Sequence, residues 1–301
     1  MERALHTVCG VFCLNKPGGM TSRDAVNLLQ RFLRRARLGH AGTLDPLATG
    51  VLVVCVGTAT RLVPFVQELP KLYRGTFLLG RSSDTDDLDG EVTELESAPI
   101  PSREQIEAIL PEFVGMILQR PPTYSAVRIE GRRGYEWARQ GTPREPEPRP
   151  VEVFGLKVLH YEYPTLELEI HCGSGTYVRS LGRDLAQRLG TAAVMSQLTR
   201  LAIGHFTLQQ AIDPREIGPH NWRDFLLPPA VAVKHLSEVQ LPGEDVKKLL
   251  HGQWPAYEGD LVPGQTVAVV DQSGELVGVA QCQSDSRLKP LVNLARTPDI
   301  P

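Results

Sequence analysis

The sequence predicts an α+β protein built on a mixed sheet, followed by a smaller β-rich domain. Strand-like and helix-like stretches interleave over the first two thirds without a strict βαβ rhythm. After about Ala230 the texture changes to short strand-like pieces separated by turn sequences. A chain of 301 residues suits one large domain plus a small one, expected here as residues 1–230 and 231–301.

In chain order, Val8 to Leu14 reads as a strand. Thr21 with Asp24 three residues later forms a capping-box pattern opening a helix expected to run to about Arg37, with Ala25, Leu28, Leu29 and Phe32 on its apolar side. A loop from Leu38 to Gly50 leads into the apolar run Val51 to Val56; at thirteen or so residues it is long enough to carry function. Leu72 to Leu79 is a predicted strand, Glu104 to Phe113 a helix, and Tyr135 to Gln140 the start of a short helix. Thr142 to Pro150 reads as an extended surface loop. Leu166 to Cys172 alternates like a strand, Gly173 to Gly175 turns, and Tyr177 to Leu189 places Val178, Leu181, Leu185 and Leu189 on one helical face. In the last part, Thr266 to Val270 and Leu276 to Ala280 read as strands.

The N-terminal stretch lacks a small-residue cleavage pattern and reads as a strand, not a signal peptide. The longest apolar run is far short of the roughly 20 residues a membrane helix requires, so a soluble cytoplasmic protein is expected. The five cysteines form no C-x-x-C pair and fit buried, reduced thiols rather than a zinc site. A net charge of −3 is unfavourable for a nucleic-acid partner, but arginines cluster at Arg31, Arg34, Arg35 and Arg37, at Arg132, Arg133, Arg139, Arg144 and Arg149, and at Arg179, Arg183 and Arg188. Acidic residues gather from Asp84 to Glu96. This segregation either builds a basic face or only solvates helices.

The strongest chemical signal is the run from Gly39 to Gly50, which sets His40, Thr43 and Asp45 on a glycine-hinged segment before a buried strand. Taken alone, Asp45 ahead of Pro46 is open to two readings, a turn-forming residue or a reactive carboxylate. Two other segments mimic known sites. Thr85 to Glu96 approaches a calcium loop but has Thr85 where the first acidic ligand belongs and a strand before it. Gly18 to Ser22 imitates a phosphate loop without its Lys-Ser/Thr ending and reads better as a helix cap.

The 39–50 run resembles the signature loop of the bacterial tRNA pseudouridine-55 synthase family. Asn15-Lys16-Pro17, Lys71-Leu72-Tyr73, Leu79-Gly80 through Asp89-Gly90, Pro121 to Ala126 and Gly175-Thr176-Tyr177-Val178-Arg179 are similar to further motifs of that family, in the family order. The resemblance reaches about residue 210. It implies a largely antiparallel mixed sheet with flanking helices, and the tail is similar to the barrel-like PUA-type RNA-binding module often appended to such enzymes.

What the resemblance implies chemically is isomerisation of one uridine in the T arm of tRNA, by a monomer needing no metal, cofactor, guide RNA or protein partner. The bond from C1′ to N1 breaks, the uracil turns, and C5 joins C1′ with loss of the C5 proton. Asp45 would be the catalytic carboxylate, attacking C1′ or taking a proton from C2′. Arg179 would pair with it through a bidentate guanidinium that lysine does not reproduce. Tyr73 would stack on the uracil close to the C5 proton. Leu198 would line the base pocket, His40 would fill the space left by the flipped base, and Lys16 and Tyr177 would support the pocket. Arg34, Arg35, Arg132 and Arg133 are weaker candidates for phosphate contacts. Ala41, Ser83 and Gly134 depart from the family pattern, the last bearing on how the 132–141 segment packs.

Overall fold

Strand β1 (Gly10–Lys16) and strand β3 (Thr49–Val56) are apolar almost throughout because both are covered on both faces in the computed structural model. They pair antiparallel, Phe12 opposite Val54. The structure describes residues 8–125, 127–142 and 144–294, apart from the side chains of Arg133, Tyr135 and Arg139. The expectations for Met1 to Thr7, for Ala126 and for the Arg133 side chain therefore lie outside the described residues.

Between these strands come α1 (Ser22–Gln30) and the short β2 (Leu38–His40), which pairs with the second half of β3. Thr21 and Asp24 form the expected capping box. The helix nevertheless ends seven residues earlier than the sequence suggested. Past Gln30 its own side-chain amide donates to the carbonyls of Leu33 (2.8 Å) and Ala36 (3.1 Å), which satisfies them in a turn instead of a helical ladder. Arg31, Arg34 and Arg35 are then spared the like-charge i,i+3 and i,i+4 spacing of a continued helix.

After α2 (Val63–Glu68) the long β4 (Lys71–Leu79) runs through the middle of the sheet. A ribbon of β5 (Arg81–Ser82) and β6 (Thr93–Glu94) brackets the acidic turn. The predicted helix from Glu104 is α3 (Arg103–Ile109) closed by a 3-10 turn over Leu110–Phe113, where Pro111 cannot continue the ladder. The edge strand β7 (Gly115–Gln119) follows, then a ribbon of β8 (Arg128–Ile129) and β9 (Arg132–Arg133), then α4 (Gly134–Arg139). A Cβ at Gly134 would stand 2.8 Å from the Thr123 carbonyl, so the departure from the family pattern lets this segment lie close on 123–125.

Strand β10 (Arg149–Glu162) takes the last two residues of the predicted surface loop and pairs with both β7 and β11 (Thr165–Cys172). The helix α5 (Val178–Arg188), β12 (Ala193–Ile203) and β13 (Phe206–Thr207) complete the main sheet. Its order is β1-β3-β12-β4-β11-β10-β7, with β2 on β3 and β13 on β12. Among the described strands of this sheet only the β3–β12 pairing is parallel, so the sheet is mixed and largely antiparallel.

The tail folds as β14 (Ser237–Gln240), α6 (Gly243–Leu250), β15 (Thr266–Val270), β16 (Leu276–Cys282) and β17 (Leu288–Asn293). Among the described residues no pairing joins β14 to β17, so the barrel-like module is an open four-stranded sheet. Ala268, Val279 and Leu294 share an apolar cluster with Val51, Ala59 and Leu62, which seats the tail on the main domain. No described helix is long and apolar enough to cross a membrane.

Cys13, Cys55 and Cys172 are buried thiols, and burial pushes the first two up to about 12 and the third to about 11. A thiol whose folded pKa is raised contributes stability that is complete below its unfolded value near 9 and is lost as pH climbs through the folded value. Cys55→Ala is therefore expected to cost most at pH 8, with the gap to wild type narrowing above pH 9. Urea midpoints at pH 8 and 10.5 check this; a constant gap would contradict it.

Candidate active site

The main sheet splits beside β3. Strand β2 occupies one flank of β3 from Val54 to Val56, and β12 reaches the same flank only at Thr49 and Gly50. Residues 41–48 emerge from this split, so the functional loop is shorter than the sequence suggested, Leu38 to His40 being strand. The Val51 carbonyl is left by both neighbours and accepts Nε of Arg200 at 2.7 Å, while Arg200 Nη2 reaches the Gly42 carbonyl at 3.1 Å. Arg200 is 1% exposed and rivets the base of the loop to β3.

The rest of the loop is held as firmly. Ser22, at the first turn of α1, has its hydroxyl on both the N–H (2.8 Å) and the carbonyl (3.0 Å) of Leu44. The Pro46 carbonyl accepts from the Gly19 N–H at 2.9 Å and from the Lys16 ammonium at 3.4 Å. Lys16 is fully buried and also donates to the carbonyls of Pro17 and Met20. Burial draws its pKa down to about 8, opposed by the charge of Asp45. Leu44 and Ala48 sink into one apolar cluster with Tyr73 and Leu198. With both flanks clamped, the Asp45 side chain remains 37% exposed at the surface of that cluster.

Arg179, in the first turn of α5, meets it through Nε, 3.1 Å from the Asp45 carboxylate, and not through the expected two parallel bonds, because both Nη atoms turn to other partners. The bland alternative, a solvated arginine on a helix, does not hold, because this side chain is 8% exposed and fully engaged. Its Nη1 donates to the Thr85 carbonyl at 2.7 Å and lies 3.3 Å from Asp87, and its Nη2 donates to the Tyr124 carbonyl at 3.2 Å. Asp87 is itself fixed by the Thr85 hydroxyl (2.6 Å) and the Asp89 N–H (3.0 Å). One turn along α5, Arg183 pairs with Asp86 at 2.8 Å. Asp86 and Asp87 of the calcium-like turn thus face arginines of α5 and Glu94 faces Arg81, and no group of three potential metal ligands occurs among the described residues.

Tyr73 stands opposite Arg200 in the β4–β12 register. Burial raises the phenol's pKa, so the free protein presents Tyr73 as a neutral phenol. Leu198 lies two residues before Arg200 on β12. Tyr177 is fixed through its backbone, the N–H donating to Gln119 Oε1 at 2.7 Å and the carbonyl accepting from Gln119 Nε2 at 3.1 Å. His40 belongs to β2, not to the loop proper. Burial, then the charges of Arg23 and Arg200, lower its pKa, and its Nδ1 is buried with no hydrogen-bond partner among the described residues. At the Gly18 to Ser22 segment, Thr21 caps its own helix and the backbone carbonyls take the lysine.

Of the predicted site residues, the structure joins Asp45 and Arg179 directly, and gathers Tyr73 and Leu198 under the loop. Lys16 supports the loop through backbone carbonyls. Asp87 and Arg200 escaped the sequence reading: the first was read within the calcium-like turn, and the second was assigned no role. The signal for Arg200 was its position on a strand otherwise apolar at its buried sites. For Arg179, Arg183 and Arg188 a basic face was one of two open readings, beside the expected pairing of Arg179 with Asp45; all three pair with acids of the same chain, Arg188 with Glu112 at 2.8 Å.

Gly50 shows how tight the split is. Its φ of +102° suits glycine, and a Cβ there would stand 2.2 Å from the Arg200 carbonyl oxygen. Gly50→Ala is expected to destabilise by about 2–4 kcal/mol, read from urea midpoints.

Two family models match the sequence: "TruB family pseudouridylate synthase (N terminal domain)" over residues 30–178 and "Pseudouridine synthase II TruB, C-terminal" over residues 237–292. A protein of Gloeothece citriformis called tRNA pseudouridine synthase B is 39% identical over 96% of this chain and 97% of its own. One of the same name from Caulobacter is 38% identical over 93% and 94%. Among solved structures, that of a Cbf5-Nop10-Gar1 complex superposes with a TM-score of 0.76 at 25% identity, covering 98% of this chain and 87% of the other. The match extends through both domains and carries the clamped Asp45 loop with it: the chain belongs to the TruB family of pseudouridylate synthases, which are isomerases.

Proposed function

We propose that the protein converts uridine 55 in the T arm of tRNA to pseudouridine, acting alone in the cytoplasm as a monomer, without guide RNA or cofactor. The observation that carries this reading is the ion pair of Asp45 and Arg179 at the edge of an apolar patch made by Tyr73 and Leu198. A flipped uracil resting on that patch brings its C1′ to the only loop carboxylate oriented by a guanidinium. Asp45 then attacks C1′ or takes the C2′ proton, the C1′–N1 bond breaks, C5 bonds to C1′, and the C5 proton leaves while N1 gains one. Tyr73 orients the ring as a neutral phenol. His40, neutral and carrying a spare Nδ1, fills the space the base leaves.

A glycosidase would need a second available acid. Asp87, the second carboxylate on Arg179, is 3% exposed and already bonded on both oxygens. A guide-dependent enzyme is the other reading, since the fold neighbours include an H/ACA RNP bound to a substrate RNA. That neighbour is 24% identical, against 36–40% for relatives named tRNA pseudouridine synthase B along nearly the whole chain, which favours the guide-free form.

Purified protein incubated with a tRNA transcript tritiated at uracil C5, without guide, is expected to release tritium from one uridine. Release should vanish on a transcript with cytidine at position 55. Tight binding without release would replace the enzyme by an RNA-binding protein, and release only with a guide would favour the second reading.

A further inference from the structure

A cavity of about 610 Å³ opens beyond the C-terminal end of α1, between the turn after Gln30 and residues 214–219. Its floor is apolar, made by Leu28, Phe32 and Ile217, and its rim carries Arg31, Arg34, Arg35 and Arg215. The early end of α1 creates it: the Gln30 amide folds the chain back, bringing the exposed Arg31, Arg34 and Arg35 to one rim.

These guanidiniums are not equivalent. Arg215 is already neutralised by Asp213. Arg34 gives its Nε to the Arg31 carbonyl at 3.0 Å, inside the turn. Among the described residues, no carboxylate pairs with Arg31 or Arg34. In a protein whose net charge is −3, two uncompensated arginines over an apolar floor amount to a local anion site with room for a flat group beneath it. Ser22, which holds the catalytic loop, lies at the opposite end of α1, about 13 Å away along the helix. That separation puts the cavity outside the pocket for the target uridine but within reach of the same RNA.

We propose that this cavity binds a backbone phosphodiester of the substrate RNA at a distance from the target nucleotide. Arg31 and Arg34 take the phosphate oxygens, and the Phe32 floor takes the adjoining sugar or base. The inference rests on the enzyme reading above and extends it by a second RNA contact. Phosphate contacts of this type set affinity and its salt dependence, while chemistry at a remote carboxylate is unaffected.

The test is steady-state tritium release from full-length tRNA by wild type and by Arg31→Ala/Arg34→Ala at several salt concentrations. Expected are a KM raised about tenfold, an unchanged kcat and a salt slope shallower by about 1 to 2. Arg31→Lys/Arg34→Lys should recover most of the KM. An unchanged KM and slope would overturn the site, as would a fall in kcat accompanied by a lower melting temperature, which indicates a structural role only. Absence of release by wild type would instead overturn the enzyme reading.

Discussion

Asp45→Asn is expected to give a folded protein that binds tRNA at near wild-type affinity and releases no C5 tritium, with the rate down by roughly 10⁴-fold or more. The amide is isosteric, so the loop's supports are untouched: Ser22 on Leu44, Lys16 on Pro46, and the apolar seats of Leu44 and Ala48. None of these involves the Asp45 carboxylate. What the amide lacks is the charge that attacks C1′ or accepts the C2′ proton. It also offers Arg179 an N–H where an oxygen stood, so the two side chains meet donor to donor in one amide rotamer. Because the side chain is 37% exposed, the stability cost should stay small, below about 1 kcal/mol. Gel-shift affinity and thermal melting measured beside tritium release separate the outcomes. Residual activity within tenfold of wild type would remove Asp45 from the chemistry, and loss of binding together with activity would mean that it acts in RNA recognition.

The division between what the sequence made legible and what it hid follows the range of the interactions. The capping box at Thr21 and Asp24 and the strand Thr266–Val270 rest on neighbours in the chain, and the sequence showed them. The length of α1 was misread because an apolar stripe continues to Phe32, while the side chain that ends the helix is a glutamine whose bonds run forward to Leu33 and Ala36. The catalytic candidates Asp45 and Arg179 were legible through motif order, although 134 positions separate them. Arg200 and Asp87 were not. Arg200 matters because β12 stops two residues along β3 and leaves a carbonyl bare, a consequence of sheet topology. Asp87 matters because α5 returns over the acidic turn, and its four-residue repeat of Arg179 and Arg183 matches Asp87 and Asp86. Charge clusters read along the chain overstate free charge for the same reason: the 179–188 arginines are spent on such pairings, whereas Arg31 and Arg34 are not.

Arg179→Met should be more damaging to the fold than Asp45→Asn, and Arg179→Lys distinguishes its two roles. Removing the guanidinium strands Asp87, which is 3% exposed, without its counter-ion, and leaves the carbonyls of Thr85 and Tyr124 without a donor. Breaking one side of a buried pair of this kind costs about 3–5 kcal/mol. Lysine restores one positive charge and should recover part of that stability. Its three N–H donors radiate from a single atom and do not span Asp45, Asp87 and two carbonyls as the planar fork does. The charge is therefore expected to settle on the buried Asp87, the more enclosed carboxylate, leaving Asp45 unoriented. Tritium release in Arg179→Lys should then fall by roughly 10²-fold or more even where urea melting shows a folded protein, with kcat reduced more than KM is raised. If Arg179→Lys instead restores stability and rate together, net charge alone is what Asp45 requires, and the planar fork that spans Asp45, Asp87 and two carbonyls contributes nothing to the reaction.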